Sequence, residues 1–407
     1  MQVKSDRLLG VNKERLRLPS GRCENTRMKI EETLPINPIV VEWARKRAGF
    51  TLEDASRSFK KIADWEAGEA SPSYPQLEQM ADKFKCPVAV FFFPNPPELP
   101  SVEQSFRTLS AEDFATIPRT VRAFLRKGQA MQINLAELND GKNQAPRLIT
   151  RDLQFSTGTS LDEIAATVRG YLGISVEEQV RWKNVEQALE AWREAFAQVG
   201  VFVFKDAFHT RGYFGFCLYD EEFPVVYVNN STVKTRQIFT LFHELGHLLF
   251  HTSGVDIIDD QYIQHLGSNE QKIEIICNGL AAKVLVPDGI LDQMLKGATA
   301  DRETAARLAD HFCVSREVIY RKMLDRGLIP EGEYTNAAKN WESQIKPVAE
   351  GSGNYYNSQF TYLGSRYIDL AFTRYYQRRF DEVQLAEYLN IKPKSLPKFE
   401  AKFGGRL

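Results

Sequence analysis

The chain has 407 residues, enough for two or three domains and a substantial core. Charged residues make up 26% of it, yet the net charge is −1, which excludes a global attraction to nucleic acid or an acidic membrane and leaves only local patches. Five cysteines, odd in number and without CxxC spacing, fit reduced thiols, and no apolar run reaches the length of a membrane span; a cytoplasmic protein without a membrane contact is expected.

Residues 1–33 are polar, carry Lys4, Arg7, Lys13, Arg15, Arg17, Arg22 and Arg27, and read as a flexible arm. From Pro38 the pattern turns helical with short loops. Val40, Val41, Trp43, Ala44 and Ala48 form one apolar face ending at Gly49. Thr51 caps a second helix, Phe59 to Glu69 follow, and Leu77, Met80, Ala81 and Phe84 continue the bundle. Residues 34–95 resemble a Cro/CI-type helix-turn-helix domain, with Trp65-Glu66-x-Gly68 ending the recognition helix and Pro72-x-x-x-x-Leu77 opening the next. That resemblance implies a DNA contact, with Lys60 and Lys61 at phosphates and Asp64 at bases. Between Thr51 and Trp65, however, the usual spacing is shortened by about four residues. The turn and part of the recognition helix are lost, so a protein-binding or domain-packing module is expected over a reader of bases.

Residues 96–150 read as a proline-rich linker followed by a long amphipathic helix from Pro118 to Leu138. Helical patterns recur at Leu161–Leu172 and Val180–Gln198, the latter ending at Gly200. Three aromatic and β-branched runs follow, at 201–204, 215–219 and 224–229, bounded by acidic residues and asparagines. They suit a small sheet, and an extended substrate could pair with its edge, though the sequence singles out no strand for this.

The next segment, Phe242 to Phe250, contains His243-Glu244-Leu245-Gly246-His247, an HExxH pattern in an apolar run. On an α-helix residues i and i+4 lie about 40° apart in angle and roughly 6 Å apart along the axis. His243 and His247 can therefore reach one zinc, with Glu244 beside them to polarise water. Two histidines at this spacing are often ordinary partly buried residues. The flanking Phe239, Leu241, Phe242, Leu248, Leu249 and Phe250 favour a buried helix and a metal site instead. Glycine inside a helix costs roughly 1 kcal/mol relative to alanine, so Gly246 points to close approach of another backbone. A third ligand is needed. Glu274 heads what reads as a second buried helix ending at Pro287; Asp256, Asp259, Asp260 and Glu270 compete from a polar, loop-like stretch. His251, one turn beyond His247, lies near enough to support the site but would be strained as a third ligand from the same helix. Glu274 is favoured because a packed helix fixes it.

The run Thr240-Leu241-Phe242-His243-Glu244-Leu245-Gly246-His247, with Glu274-x-x-Cys277-Asn278-x-x-Ala281-Ala282-x-x-Leu285-x-Pro287, resembles the ImmA/IrrE family of metallopeptidases. The family pattern has alanine where Phe242 and Cys277 stand here. The resemblance implies that His243, His247 and Glu274 hold Zn2+ and that Glu244 is the general base. Asn278, one turn from Glu274, is a candidate to support the ligands. The family are intracellular proteases of specific regulators. The expected function is a zinc-dependent metallo-endopeptidase that cleaves a repressor-like or antitoxin-like protein by zinc-activated water. The competing reading is a DNA- or toxin-binding regulator whose zinc is structural; Glu244 counts against it, since a structural site has no use for that carboxylate.

Ala305 to Arg326 reads as two short helices, the second capped by Ser315, that complete a peptidase core spanning 151–334. Residues 335–354 look loop-like. The remainder is helical and rich in interleaved Tyr and Arg, which can stack nucleobases, anchor a partner or pack a small domain. The expected fold class is α+β and mainly helical: a helix-turn-helix-like bundle, a zincin-like peptidase domain with a small sheet, and a C-terminal helical domain at 335–407. The sequence carries no indication of oligomeric state.

Overall fold

The computed structural model describes residues 34, 36–84, 86, 88–96, 117–257, 268–344 and 354–403. The arm at 1–33, most of the proline-rich linker, Asp259 and Asp260 lie outside them. The chain divides into two compact units, Met1–Pro97 and Glu98–Leu407. The first is built from α1 (Pro38–Arg47), α2 (Leu52–Ser56), α3 (Ile62–Ala67) and α4 (Tyr74–Phe84). Asn37 and Thr51 cap α1 and α2 through their side-chain oxygens. Val41, Ala44, Ile62, Trp65, Leu77, Met80 and Phe84 fill the core. Beside it, Arg45 grips Glu66 through two bonds of 2.6 and 2.8 Å. Helix α3 has only six residues and is closed by Gly68 at φ 74°, a left-handed turn suited to glycine. Lys60 and Lys61 are exposed just before it, and Asp64 is half-buried within it.

The second unit runs α5 (Arg119–Leu138), α6 (Ile149–Asp152), α7 (Leu161–Leu172), α8 (Val176–Gln179), α9 (Val185–Gln198), β1 (Phe202–Asp206), β2 (Tyr213–Leu218), β3 (Val225–Asn229) and α10 (Lys234–Leu249). It continues with β4 (Val255–Ile257), α11 (Ser268–Leu285), α12 (Asp288–Leu295), α13 (Arg302–Phe312), α14 (Arg316–Asp325) and α15 (Glu331–Gln344). It closes with α16 (Tyr355–Leu363), α17 (Ser365–Tyr376), α18 (Glu382–Tyr388) and α19 (Leu396–Phe403). The four-stranded sheet has the order β1-β3-β2-β4, with β1 parallel to β3 and the other pairs antiparallel. The fold is α+β, as expected.

Both faces of the sheet are covered. Val203, Cys217, Val226 and Val228 join Trp192, Phe196, Phe242, Leu245 and Leu280 in one core. Phe204, Phe216, Leu218, Val225 and Tyr227 face the other way, onto Leu125, Leu135, Tyr367, Ile368 and Phe372. Double coverage explains why the strands read as nearly continuous apolar runs. Three local expectations are revised. Residues 335–344 are not loop but the later part of α15. The expected helix at Val180–Gln198 starts only at Val185, because Asn184 caps it there by accepting from Gln187 N. Helix α11 begins at Ser268, so Glu274 sits inside it and not at its head.

Several of the Tyr and Arg side chains of the C-terminal helices serve packing. Arg374 Nε donates to the Leu138 carbonyl at 2.6 Å, Arg379 pairs with Asp140, and Tyr367 OH donates to the Tyr388 carbonyl at 3.1 Å. The two arginines fasten this region to the end of α5, and Tyr367 fastens α17 to α18.

Candidate metal centre

Helix α10 buries Ile238, Leu241, Phe242, Leu245, Leu248 and Leu249, which fixes its rotation. Helix α11 crosses it at Gly246, where a Cβ would stand 3.0 Å from Cys277 Cα and 2.7 Å from its Sγ. The absent side chain lets the two backbones approach, and Glu274, one turn before Cys277, comes over the two histidines.

His243 Nε2 lies 3.3 Å from Glu274 Oε1, His247 Nε2 lies 3.2 Å from Glu274 Oε2, and the two Nε2 atoms are 3.3 Å apart. These residues are the one group of three potential metal donors within 4.8 Å of one another among the described residues. The far side of each imidazole has an acceptor. Asn278 Oδ1 is 3.1 Å from His243 Nδ1, and Thr252 Oγ1 is 3.4 Å from His247 Nδ1. With the Nδ1 protons directed there, both Nε2 lone pairs converge with a carboxylate. Three electron-pair donors this close repel one another, and a cation between them relieves the repulsion. The residues therefore fit the metal that the HExxH pattern implies.

Burial lowers the His243 pKa and favours its neutral ring. For Glu274 burial works upward, but the His243 and His247 rings outweigh it and hold the carboxyl at about 2. His247 is pushed down by burial and raised further by Cys277 and Glu274, so a proton and a metal compete for its Nε2. Glu244 is 0% exposed, and the polar neighbour that reaches its carboxylate is the weakly donating Cys217 thiol. Burial lifts its pKa to about 8, against the opposing pull of His247.

The other candidates lie outside the donor group. His251, expected to support the ligands, lies beyond the end of α10 at φ 55°; its Nε2 is 3.1 Å from the Thr150 carbonyl and its ring stacks on Tyr219. Asp256 is engaged elsewhere, taking Arg236 Nη2 at 2.6 Å and Thr240 Oγ1 at 2.8 Å. Glu270 is not in the donor group. Lys60, Lys61 and Asp64 belong to the other unit. The sequence reading missed Thr252 and Gly254. A Cβ at Gly254 would press on the His247 ring, 2.6 Å from Cδ2. The sheet's edges are β1 and β4, and β4 starts at the residue after Gly254.

A helix-borne HExxH beside a sheet, faced by a glutamate from the next helix, defines the metallopeptidase class. Residues 196–324 match the family model of the IrrE N-terminal-like domain, a peptidase domain. Over 113 residues the chain is 30% identical to the radiation response metalloprotease IrrE of Deinococcus radiodurans, covering 28% of this chain and 34% of that protein. Over 98 residues it is 35% identical to the protein of the same description from Deinococcus deserti, covering 24% of this chain and 34% of that one. The alignments thus span about a third of the length of these curated relatives. Among the described residues no helix is long and apolar enough to cross a membrane.

Proposed function

We propose that this chain is a zinc-dependent metallo-endopeptidase that cleaves a specific repressor-like or antitoxin-like regulatory protein. His243, His247 and Glu274 would hold the zinc, a two-histidine, one-glutamate set of the kind used in catalytic sites. When bound, zinc supplies Lewis-acid polarisation of the scissile carbonyl and the attacking water. Beside the charge of the bound cation Glu244 would stay ionised despite its burial, so that it takes the water proton on a carboxylate oxygen and delivers it to the leaving amine. The observation that carries this reading is that carboxylate, fully buried and next to His243 in the chain. A purely structural site would gain nothing from holding it there, since burying an ionisable group is unfavourable.

Among the described residues β4 is the sheet's edge strand that follows Gly254, and an extended substrate segment pairing with it would cross the donor cluster. The N-terminal unit serves to recognise the protein to be cut, its short α3 leaving little surface to read bases. The reaction is placed in the cytoplasm, in keeping with free Cys86, Cys217, Cys277 and Cys313.

The test loads wild type and Glu244→Gln with zinc and incubates each in lysate of the source cell. New protein termini are then counted by mass spectrometry. Termini generated by wild type alone are expected, and they name the substrate. The same termini from both proteins, or none from either, would overturn the reading. Glu244→Gln should still bind zinc, whereas His247→Ala should lose both zinc and cleavage.

A further inference from the structure

We infer that Thr252 is the positioning residue of His247, and that the turn 251–254 sets how tightly the site holds its metal. The inference rests on the reading of the His243, His247 and Glu274 cluster as a zinc site.

Helix α10 stops just short of this turn. Leu249 is its last residue, and His251 adopts a left-handed conformation at φ 55°, unusual for a residue with a Cβ. This reversal folds the next three residues back over the His247 ring. Thr252 N and Thr252 Oγ1 both donate to the His247 carbonyl, each at 3.0 Å. The hydroxyl proton is thereby committed, so Oγ1 faces His247 Nδ1, at 3.4 Å, as an acceptor. A hydroxyl so placed selects the tautomer with the proton on Nδ1 and the lone pair on Nε2, on the side of Glu274.

The turn is itself anchored. Gly254 lies against the His247 ring where no Cβ would fit, and β2 grips it from beyond: Cys217 N donates to the Gly254 carbonyl at 3.0 Å, and Gly254 N approaches Cys217 Sγ at 3.3 Å. His251 holds the other end through the Thr150 carbonyl, at 3.1 Å. Thr252 is thus to His247 what Asn278 is to His243, but it comes from a turn continuous with β4. A groups-behind-the-ligand arrangement of this kind typically changes metal affinity by 10–100-fold when removed.

The test uses the full chain and reads zinc affinity by competition with a chromophoric chelator, with metal-free melting temperatures as the control for folding. Thr252→Val keeps the shape and removes the acceptor; it should bind zinc about 10–100-fold more weakly. Thr252→Ser restores the hydroxyl and should bind close to wild type. If valine destabilises the metal-free protein, Thr252→Ala takes its place in the same comparison. Wild-type affinity in both variants that lack the hydroxyl, or a serine variant as weak as valine, overturns the inference and leaves the zinc site standing. A wild-type protein that binds no zinc overturns both.

Discussion

Lys205 is the least expected charge in the second unit. It lies on β1 at 1% exposure, on the same face as Val203, and its Nζ meets no hydrogen-bond partner. Burial, aided by the neighbouring Arg193, lowers its pKa to about 7. The unfolded chain keeps its lysine protonated up to about 10.4. Between those values the unfolded state binds the extra proton, so stability is greatest above the unfolded pKa and is lost as pH falls towards 7. Lys205→Met should therefore be more stable than wild type at pH 7, by a few kcal/mol, with the difference shrinking towards pH 10. Urea unfolding of both proteins at several pH values measures that difference directly; a pH-independent gap would sink the argument. At this scale the legibility of the site was uneven. Helical periodicity placed His243 and His247 on one face, and the packing pattern favoured Glu274 over its acidic rivals. Thr252 was hidden because its position depends on a backbone reversal at His251, which helical spacing does not encode. The same reversal carries His251 away from the donors it would have faced had the helix continued.

At the level of elements, the crossing of α10 and α11 determines whether three donors meet. Gly246 was readable as a point of close approach, and its neighbour across the crossing is Cys277, whose Cα would stand 3.0 Å from a new Cβ. A backbone atom cannot swing aside as a side-chain tip can. Gly246→Ala should push the helices apart, lowering stability by about 1–3 kcal/mol and moving Glu274 off the histidines. Melting curves and zinc affinity should fall together. Adding Cys277→Ala removes the Sγ clash at 2.7 Å but not the Cα clash, so it should restore only part of the loss. Full wild-type affinity in Gly246→Ala would show that the crossing tolerates separation. Of the elements that escaped the sequence reading, two show the physical reason plainly. In α15 only Tyr334, Ala337 and Trp341 face the core, too few apolar residues to stand out in a polar stretch. Strand β4 spans three residues, too short for any alternation to register, and is held by pairing with β2 and by the bonds of Asp256 to Arg236 and Thr240.

On the scale of the whole second unit, the sheet is a partition between two cores, and the metal centre depends on both. Helices α9, α10 and α11 fill one side; α5 and the C-terminal helices fill the other. A helical C-terminal segment was legible, but its dependence on the sheet was not, since Tyr and Arg in sequence do not reveal whether they face solvent or a neighbour. Removing residues 354–407 would uncover Phe204, 1% exposed and packed on Tyr367, together with the apolar face of α5 that meets Ile368 and Phe372. Fully burying one such side chain is worth about 1.5–3 kcal/mol, and several would be lost at once. Domains typically have only about 5–15 kcal/mol of net stability. A chain ending at residue 353 is therefore expected to lose its cooperative thermal transition and its zinc binding, although it retains every proposed ligand. Circular dichroism melts and the chelator competition, run beside the full chain, test this. A truncated protein with an unchanged melting temperature would show that the first core alone sustains the sheet and the site.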